Sequence, residues 1–242
     1  MRDGDRTGSE LLETVEVGPR PGEPADAAVI WMHGLGADGH DFEPIVPYLK
    51  LPPSLRVRFV FPHAPMIPVS LNMGMVMRAW YDLAGSDLRR IRHDEAGVRR
   101  SAAAIEALVR RERDRGVPAS RIVLCGFSQG GAMALHVGLR HGETLAGIVG
   151  LSSFLILPET VAAEAADANR KTPVLVCHGT VDPMVPEEMG RTCRDRLTAL
   201  GYAVEYRTWP MQHEVCGEEM EVLGRWLEAR LSARPAQPEA GR

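Results

Sequence analysis

Short apolar segments alternate with longer amphipathic segments along most of this chain. Apolar runs of the kind found in strands buried on both faces lie at residues 27–32, 57–61, 122–125, 145–151 and 173–177. A last strand is predicted at residues 203–207. Predicted helices fill most of the intervals, at about 94–115, after residue 128, at about 187–200 and at 220–231. Because strands alternate with helices, we predict an α/β fold with a mostly parallel central sheet and helices on both faces.

The remaining segments indicate the limits of the folded domain. Residues 11–17 alternate at first between apolar and polar positions and predict an edge strand. Residues 62 to about 93 form a long methionine-rich excursion, which is too short for a separate lid domain. Residues 1–10 are polar and charged, and residues 232–242 contain two prolines, so we expect a flexible N-terminus and a disordered tail. One domain over residues 11–231 is therefore expected.

The composition is that of an ordinary globular protein and excludes several function classes. With 45% apolar and 25% charged residues, the 242-residue chain can bury a full core. The formal net charge of −4 gives no reason to expect a nucleic-acid partner. The first residues carry charge without an apolar core, and no apolar run has the length of a membrane span. We therefore expect a cytoplasmic protein without a signal peptide or stable membrane insertion.

The four cysteines form no pattern for a metal or a disulfide framework. No pair of them has the C-x-x-C spacing that zinc sites and redox motifs use. We expect free thiols in a reducing cytoplasm and no metal site.

One serine stands in a pattern typical of a reactive nucleophile. Ser128 has Gly126 and Gly130 two residues to either side and directly follows the predicted strand at 122–125. This G-x-S-x-G pattern between a strand and a helix is that of a nucleophile elbow, where glycines permit a turn that larger side chains would block. The helix after the turn directs its positive end toward the serine. The alternative is an incidental serine in a glycine-rich turn.

A second glycine pattern follows the first long strand and has two interpretations. Residues 34–39 match G-x-G-x-x-G, the fingerprint of a dinucleotide site. However, Asp38 lies inside the loop that would cradle a pyrophosphate, and the next strand offers no acid for a ribose. The loop instead suits an oxyanion hole, in which the backbone N–H groups of Leu35 and Gln129 are the donors. We expect His33 to hold this loop and to have no catalytic role.

A serine nucleophile needs a base, and the base needs an acid that orients it. In folds with a nucleophile elbow, the order along the chain is serine, acid, histidine. His213 satisfies this order with Asp182, whereas His178 comes before that acid. Asp182 follows a predicted strand, where chemistry gathers in parallel sheets, while Asp167 and Asp195 lie in helical patterns. With the elbow serine, Asp182 and His213 complete a predicted catalytic triad.

Three segments carry a resemblance to a known family. Residues 33–42, 126–131 and 178–186 read HGLGADGHDF, GFSQGG and HGTVDPMVP. They resemble the α/β-hydrolase family of small bacterial carboxylesterases, acyl-protein thioesterases and lysophospholipases. The resemblance extends over about residues 11–231, so nearly the whole chain is covered.

The resemblance implies a fold and a set of roles. The fold is that of the α/β hydrolases, without a separate lid domain, and residues 11–231 are its catalytic domain. The implied roles are Ser128 as nucleophile, Asp182 as the orienting acid and His213 as general base and acid. Leu35 and Gln129 are the implied oxyanion donors, and no metal or organic cofactor is implied.

The substrate pocket is predicted only in outline. Met73, Trp80, Phe154 and Met184 are candidates for a wall that contacts an acyl chain, with ordinary core packing as the alternative for each. Members of the similar family tend to have a glycine and a tyrosine where this chain has Ser153 and Phe154. The acyl preference is therefore left open.

The predicted function is hydrolysis of small to medium carboxylic esters through an acyl-serine intermediate. An acyl-protein thioesterase or lysophospholipase with the same triad is the alternative, because these enzymes differ in pocket shape and not in catalytic residues. A non-catalytic binding protein with the same fold is disfavoured by the intact triad. The expected partner is a small-molecule ester, and the oligomeric state is left open, with a homodimer as one option.

Overall fold

The structure is a computed structural model that describes residues 11–20, 22–85 and 92–232. The expected flexible N-terminus and all but the first residue of the expected tail lie outside the described residues. Ser232, with which that tail was expected to begin, instead ends the last helix.

Among the described residues, seven strands form the central sheet in the order β1-β3-β2-β8-β9-β10-β11. They are β1 (Thr14–Val17), β2 (Ala27–Met32), β3 (Val57–Pro62), β8 (Ile122–Phe127), β9 (Gly147–Leu151), β10 (Val174–Gly179) and β11 (Val204–Trp209). The edge strand β1 pairs antiparallel with β3, and the other neighbours pair in parallel. The predicted mostly parallel sheet and its edge strand are therefore confirmed.

Helices connect the strands. The α-helices are α1 (Glu95–Asp114), α2 (Gln129–Arg140), α3 (Val161–Glu164), α4 (Glu187–Ala199) and α5 (Gly217–Ser232). Short 3-10 helices lie at Glu43–Leu49, Ser70–Asn72, Ala119–Arg121 and Asp167–Asn169. None of the described helices combines the length and the apolar character that a membrane span requires.

The sheet separates two hydrophobic cores. Ile30 and Leu124 point into the core that α1, α2 and α4 cover, whereas Val29 and Val123 point into the core that α5 covers. Because successive side chains of a strand face opposite sides, each strand must be apolar at nearly every position. This arrangement explains the near-continuous apolar runs in the sequence.

The described part of the methionine-rich excursion forms two small antiparallel strand pairs that the sequence pattern did not predict. They consist of β4 (Met66–Val69) with β5 (Met75–Arg78) and of β6 (Leu83–Ala84) with β7 (Arg92–His93). The first hairpin turns through Met73 and Gly74, which have φ values of 56° and 76°. The chain then returns to the interior, where Trp80 and Tyr81 are buried.

The parallel strands bring four loops to one edge of the sheet. Leu35 follows β2, Ser128 follows β8, Asp182 follows β10 and His213 follows β11. Since these strands run in parallel, their carboxyl ends share one edge, where α/β sheets form their sites. Residues far apart in sequence therefore meet there.

Candidate active site

Ser128 lies at a sharp turn between β8 and α2. Its backbone has φ 54° and ψ −120°, a conformation that costs a non-glycine residue about 1–3 kcal/mol. A Cβ on Gly126 would lie 2.3 Å from the Gly130 backbone, and one on Gly130 would lie 2.3 Å from the Met32 carbonyl oxygen. The Leu151 carbonyl accepts the Ser128 N–H at 2.8 Å. The turn therefore has the strain and the close packing of a nucleophile elbow.

The three residues of the predicted triad are joined by hydrogen bonds. The Ser128 hydroxyl lies 2.9 Å from His213 Nε2. His213 Nδ1 lies 2.7 Å from Asp182 Oδ2. The His213 ring also packs on Phe127, with the ring centroids 4.8 Å apart. One imidazole thus connects a hydroxyl to a carboxylate, the arrangement that allows it to take a proton from the hydroxyl.

The surroundings of Asp182 favour its ionised form. Oδ1 accepts the backbone N–H groups of Met184 and Val185, both at 2.8 Å. Burial acts to raise the pKa of this carboxyl, but the bonds from His213 and the two amides act the other way and hold the pKa below its usual value. The carboxylate therefore stays charged at neutral pH and can stabilise a protonated His213.

His178 lies under the loop that carries Asp182. It is fully buried, and its Nε2–H donates to the Val185 carbonyl oxygen at 2.8 Å. Burial lowers the pKa of His178, so the ring is neutral. Because Val185 also donates to Asp182, His178 supports the turn that presents the acid, consistent with its exclusion as the base.

The two predicted oxyanion donors lie beside Ser128 in a shared cavity. Leu35 and Gln129 both line it, and no acceptor among the described residues takes either backbone N–H. His33 holds the first loop, as expected, since its Nε2 accepts the Ala64 N–H at 3.1 Å. Burial lowers the pKa of His33 to about 4, so the ring stays neutral and can accept this bond. Two free amides are therefore available to an oxyanion.

The cavity has a volume of about 380 Å³ and is mostly apolar. Apart from the triad serine and histidine, its lining consists of Gly34, Leu35, Gly36, Ala37, Asp41, Leu71, Asn72, Met77, Leu83, Phe127, Gln129, Phe154, Met184 and Val185. Phe154 and Met184, two of the predicted wall residues, are among them. An apolar cavity beside a nucleophile suits an acyl group.

The other two predicted wall residues do not line the cavity. Met73 lies at the tip of the β4–β5 hairpin and is 95% exposed. Trp80 is 1% exposed and donates its indole N–H to the His33 carbonyl oxygen at 2.9 Å. Met73 thus lies in solvent and Trp80 in the core. The prediction that they form part of the acyl-chain wall is wrong for both.

Several lining residues were not selected from the sequence. Leu71, Met77 and Leu83 come from the same excursion as Met73. In the sequence these residues are marked only by their apolar character. An irregular segment has no periodicity that would separate buried from exposed side chains. Asp41 and Asn72 add polar groups to the lining that the sequence did not indicate.

The thiols are unpaired and lie mostly in the interior. Cys125, Cys177 and Cys193 are buried, Cys216 is partly exposed, and none forms a disulfide. In the part of the chain that the structure describes, no group of three or more histidine, cysteine, aspartate or glutamate side chains could hold a metal ion.

Comparison with known proteins gives consistent matches over nearly the whole domain. Residues 14–231 match the Phospholipase/Carboxylesterase family. The chain is 42% identical over 214 residues to acyl-protein thioesterase 1 of Neurospora crassa, covering 85% of this chain and 87% of that protein. It is 42% identical over 213 residues to acyl-protein thioesterase 1 of Gibberella zeae, covering 85% and 91%.

The fold also matches solved structures. The crystal structure of acyl-protein thioesterase 2 of Zea mays has a TM-score of 0.79 and 30% identity, covering 91% of this chain and all of that one. These matches confirm the α/β-hydrolase fold and the family resemblance that the three sequence segments carry. The chain therefore belongs to the phospholipase/carboxylesterase family of α/β hydrolases and is a serine hydrolase.

Proposed function

We propose that the protein is an acyl-protein thioesterase, which hydrolyses the thioester bond between an acyl group and a protein. The observation that carries this proposal is the 42% identity, over 85% of the chain, to proteins named acyl-protein thioesterase 1. The mostly apolar cavity beside Ser128 supports it, because such a cavity can receive the acyl chain while the protein part of the substrate stays outside.

In the proposed mechanism, the Ser128 hydroxyl attacks the thioester carbonyl carbon while His213 Nε2 takes its proton. The oxyanion that forms accepts hydrogen bonds from the Leu35 and Gln129 amides. The carbon–sulfur bond then breaks, and His213 gives the proton to the departing thiolate. Asp182 stabilises the protonated imidazole between these steps.

The second half of the proposed reaction releases the acyl group. Water replaces the thiol, and His213 removes a proton from it as it attacks the acyl-serine carbonyl. The bond between the carbonyl carbon and the Ser128 oxygen then breaks, and His213 returns the proton to Ser128. The products are the carboxylic acid and the free enzyme, and no cofactor takes part in these steps.

A carboxylesterase that acts on small to medium esters is the second candidate. The family description and the 28% identity to esterase PE8, with a TM-score of 0.77, favour it. Both candidates use the same proposed residues, so they differ in which leaving group the entrance of the cavity accepts.

A matched pair of substrates tests the proposal. A thioester and an oxygen ester with the same acyl chain are hydrolysed by the purified protein, and the ratio of their kcat/KM values is compared with the ratio of their rates with hydroxide. We expect the enzyme to favour the thioester beyond that chemical ratio, and an S-acylated peptide to be a substrate.

Ser128→Ala is the variant that tests the triad in the same assay. It should lower hydrolysis by on the order of 10³-fold or more. A preference for the oxygen ester would support the carboxylesterase instead, and a lysophospholipid preferred over both would overturn both candidates. Unchanged activity of Ser128→Ala would refute the assignment of the nucleophile.

The unpaired cysteines bear on the compartment in which the enzyme works. Since the four cysteines are unpaired, we propose that it works in a reducing compartment, with the cytoplasm as the expected one. An acylated substrate is the proposed partner, while nucleic acid and stable membrane insertion are not part of the proposal.

A further inference from the structure

Trp80 lies outside the catalytic cavity but contacts both segments that carry the candidate oxyanion donors, the loop of Leu35 and the start of α2. We propose that Trp80 is a positioning residue, which sets the spacing between the backbone N–H groups of Leu35 and Gln129. The inference rests on the proposed roles of these two amides and of Ser128.

The first contact restrains the loop of Leu35. The indole Nε1–H of Trp80 donates to the His33 carbonyl oxygen at 2.9 Å. The two rings also pack together, with their centroids 5.4 Å apart. His33 stands two residues before Leu35, and its own ring is held by the Ala64 amide. The indole thus helps to fix the backbone that leads to Leu35.

The second contact restrains Gln129, the first residue of α2. The Gln129 side chain is buried, and its Oε1 accepts the Trp80 backbone N–H at 2.9 Å. Its Nε2–H donates to the Tyr81 carbonyl oxygen at 2.8 Å. Two hydrogen bonds to the backbone of adjacent residues fix the position of the side chain, and therefore of the backbone N–H on the same residue.

Trp80 is itself anchored to a third element. The Ser101 hydroxyl of α1 donates to the Trp80 carbonyl oxygen. The backbone N–H, the carbonyl and the indole N–H of Trp80 are therefore each bonded to a different part of the fold. Because Trp80 is only 1% exposed, water competes little for these hydrogen bonds. The bonds therefore resist displacement of the loop of Leu35 and of the start of α2.

Trp31 shows that burial alone does not require such contacts. It is as buried as Trp80, at 1% exposure, and it stacks on Phe42 with ring centroids 5.1 Å apart. Its indole N–H has no acceptor among the described residues. Trp80→Phe and Trp31→Phe therefore make the same chemical change in a buried side chain. Only Trp80→Phe removes an indole hydrogen bond, the one to the His33 carbonyl oxygen.

The expected consequence concerns the transition state more than substrate binding. Oxyanion donors act when they lie about 2.7–3.1 Å from the place where the negative charge develops. A shift of one loop would weaken stabilisation of the tetrahedral intermediate and leave the apolar contacts with the acyl chain in place. Loss of the Trp80 bond should therefore lower kcat and spare KM.

The test compares Trp80→Phe with Trp31→Phe and the wild type on one thioester substrate. We expect Trp80→Phe to lower kcat about tenfold or more with KM within about twofold, and Trp31→Phe to leave kcat within about twofold. A trifluoromethyl ketone, which forms a tetrahedral adduct with a reactive serine, should lose affinity for Trp80→Phe in parallel with kcat. The affinity for the carboxylic acid product should stay unchanged.

Gln129→Met provides a second route if Trp80→Phe does not fold, as judged by circular dichroism and thermal unfolding. This substitution removes both side-chain hydrogen bonds to residues 80 and 81 but leaves a backbone N–H at position 129. It should likewise lower kcat and leave KM nearly unchanged. Equal effects of Trp80→Phe and Trp31→Phe, or equal losses for the adduct and the product acid, would overturn the inference. A wild-type protein that hydrolyses neither thioesters nor esters would instead refute the proposed function.

Discussion

At the scale of single residues, burial and neighbouring groups set the protonation states of Asp182 and His33. Hydrogen bonds from one imidazole and two amides hold the pKa of Asp182 below its usual value, in spite of burial. At His33, burial outweighs the hydrogen bond to the Gly34 carbonyl oxygen and lowers the pKa to about 4. Consequently Asp182 is a charge that can stabilise a protonated imidazole, and His33 is a neutral acceptor that holds a loop.

Asp182→Asn should slow the reaction strongly. Asparagine keeps the shape of the side chain but removes the negative charge and presents an NH₂ group, so His213 loses the partner that fixes its tautomer. We expect kcat to fall by about 10⁴-fold with little change in KM. Steady-state kinetics on a thioester measures this.

Asp195→Asn is the matched control for that variant. Asp195 lies on α4, is exposed and pairs with Arg194. Its substitution should leave kcat unchanged. A fall in kcat that is equal in the two variants, or activity retained by Asp182→Asn, would contradict the proposed role.

At the scale of elements, close contact between α2 and the loop after β2 determines where the nucleophile lies. The helix begins one residue after Ser128, and Gly130 lies against the Met32 and His33 carbonyl oxygens. No side chain fits between these backbones. Because Gly130 has no Cβ, the elbow and the loop after β2 can pack in direct backbone contact. Trp80 adds a second connection between them.

Gly130→Ala should destabilise the protein, although alanine is the better helix former by about 1 kcal/mol. Its Cβ would lie 2.3 Å from the Met32 carbonyl oxygen, and backbone atoms cannot move aside at low cost. We expect a net loss of about 1–3 kcal/mol in the free energy of unfolding, measured by denaturant titration.

Gly142→Ala is the comparison for that substitution. No atom lies within 4 Å of the position that its Cβ would take. Its unfolding free energy should stay close to that of the wild type. The prediction is contradicted if Gly130→Ala is as stable as Gly142→Ala.

At the scale of the whole molecule, the second core contains an ionisable group that the proposed mechanism does not use. Glu219 is fully buried near the start of α5, beneath the sheet that carries the site. Burial raises its pKa to about 8, and the nearby Cys216 amide and Cys177 thiol offset this only in part. The folded protein therefore keeps a proton on Glu219 that the unfolded chain releases at lower pH.

This difference predicts a pH-dependent stability. As pH rises from about 4.5 to 8, the unfolded chain loses the proton first, so the contribution of Glu219 to stability falls by about 1.4 kcal/mol per pH unit. Glu219→Gln removes this dependence. The Tm difference between Glu219→Gln and the wild type should therefore become more positive from pH 5 to pH 8.

Glu218→Gln tests whether position on the helix explains such an effect. Glu218 is the preceding residue and is exposed. Its substitution should give a Tm difference that is small and changes little with pH. A Glu219→Gln difference that stays constant from pH 5 to pH 8 would contradict the raised pKa.

The sequence by itself determined the fold class and the residues that meet at the site. Buried parallel strands have a strong apolar signal, and their carboxyl ends must share one edge of the sheet. The G-x-S-x-G pattern therefore selected Ser128, and chain order together with position after a strand selected Asp182 and His213. The glycine loops allowed Leu35 and Gln129 to be chosen for a similar reason, since backbone donors depend on the path of the chain and not on the side chain.

Only the tertiary structure decided which side chains of the excursion face the cavity. Met73 and Met77 are the same residue type four positions apart, yet one is in solvent and the other lines the cavity. The turn at Met73 and Gly74 separates them, and no periodicity in the sequence indicates it. Trp80 was predicted to line the cavity, but it is buried and joins the loop of Leu35 to the start of α2. Hydrogen bonds between distant segments depend on packing, which apolar character alone does not specify.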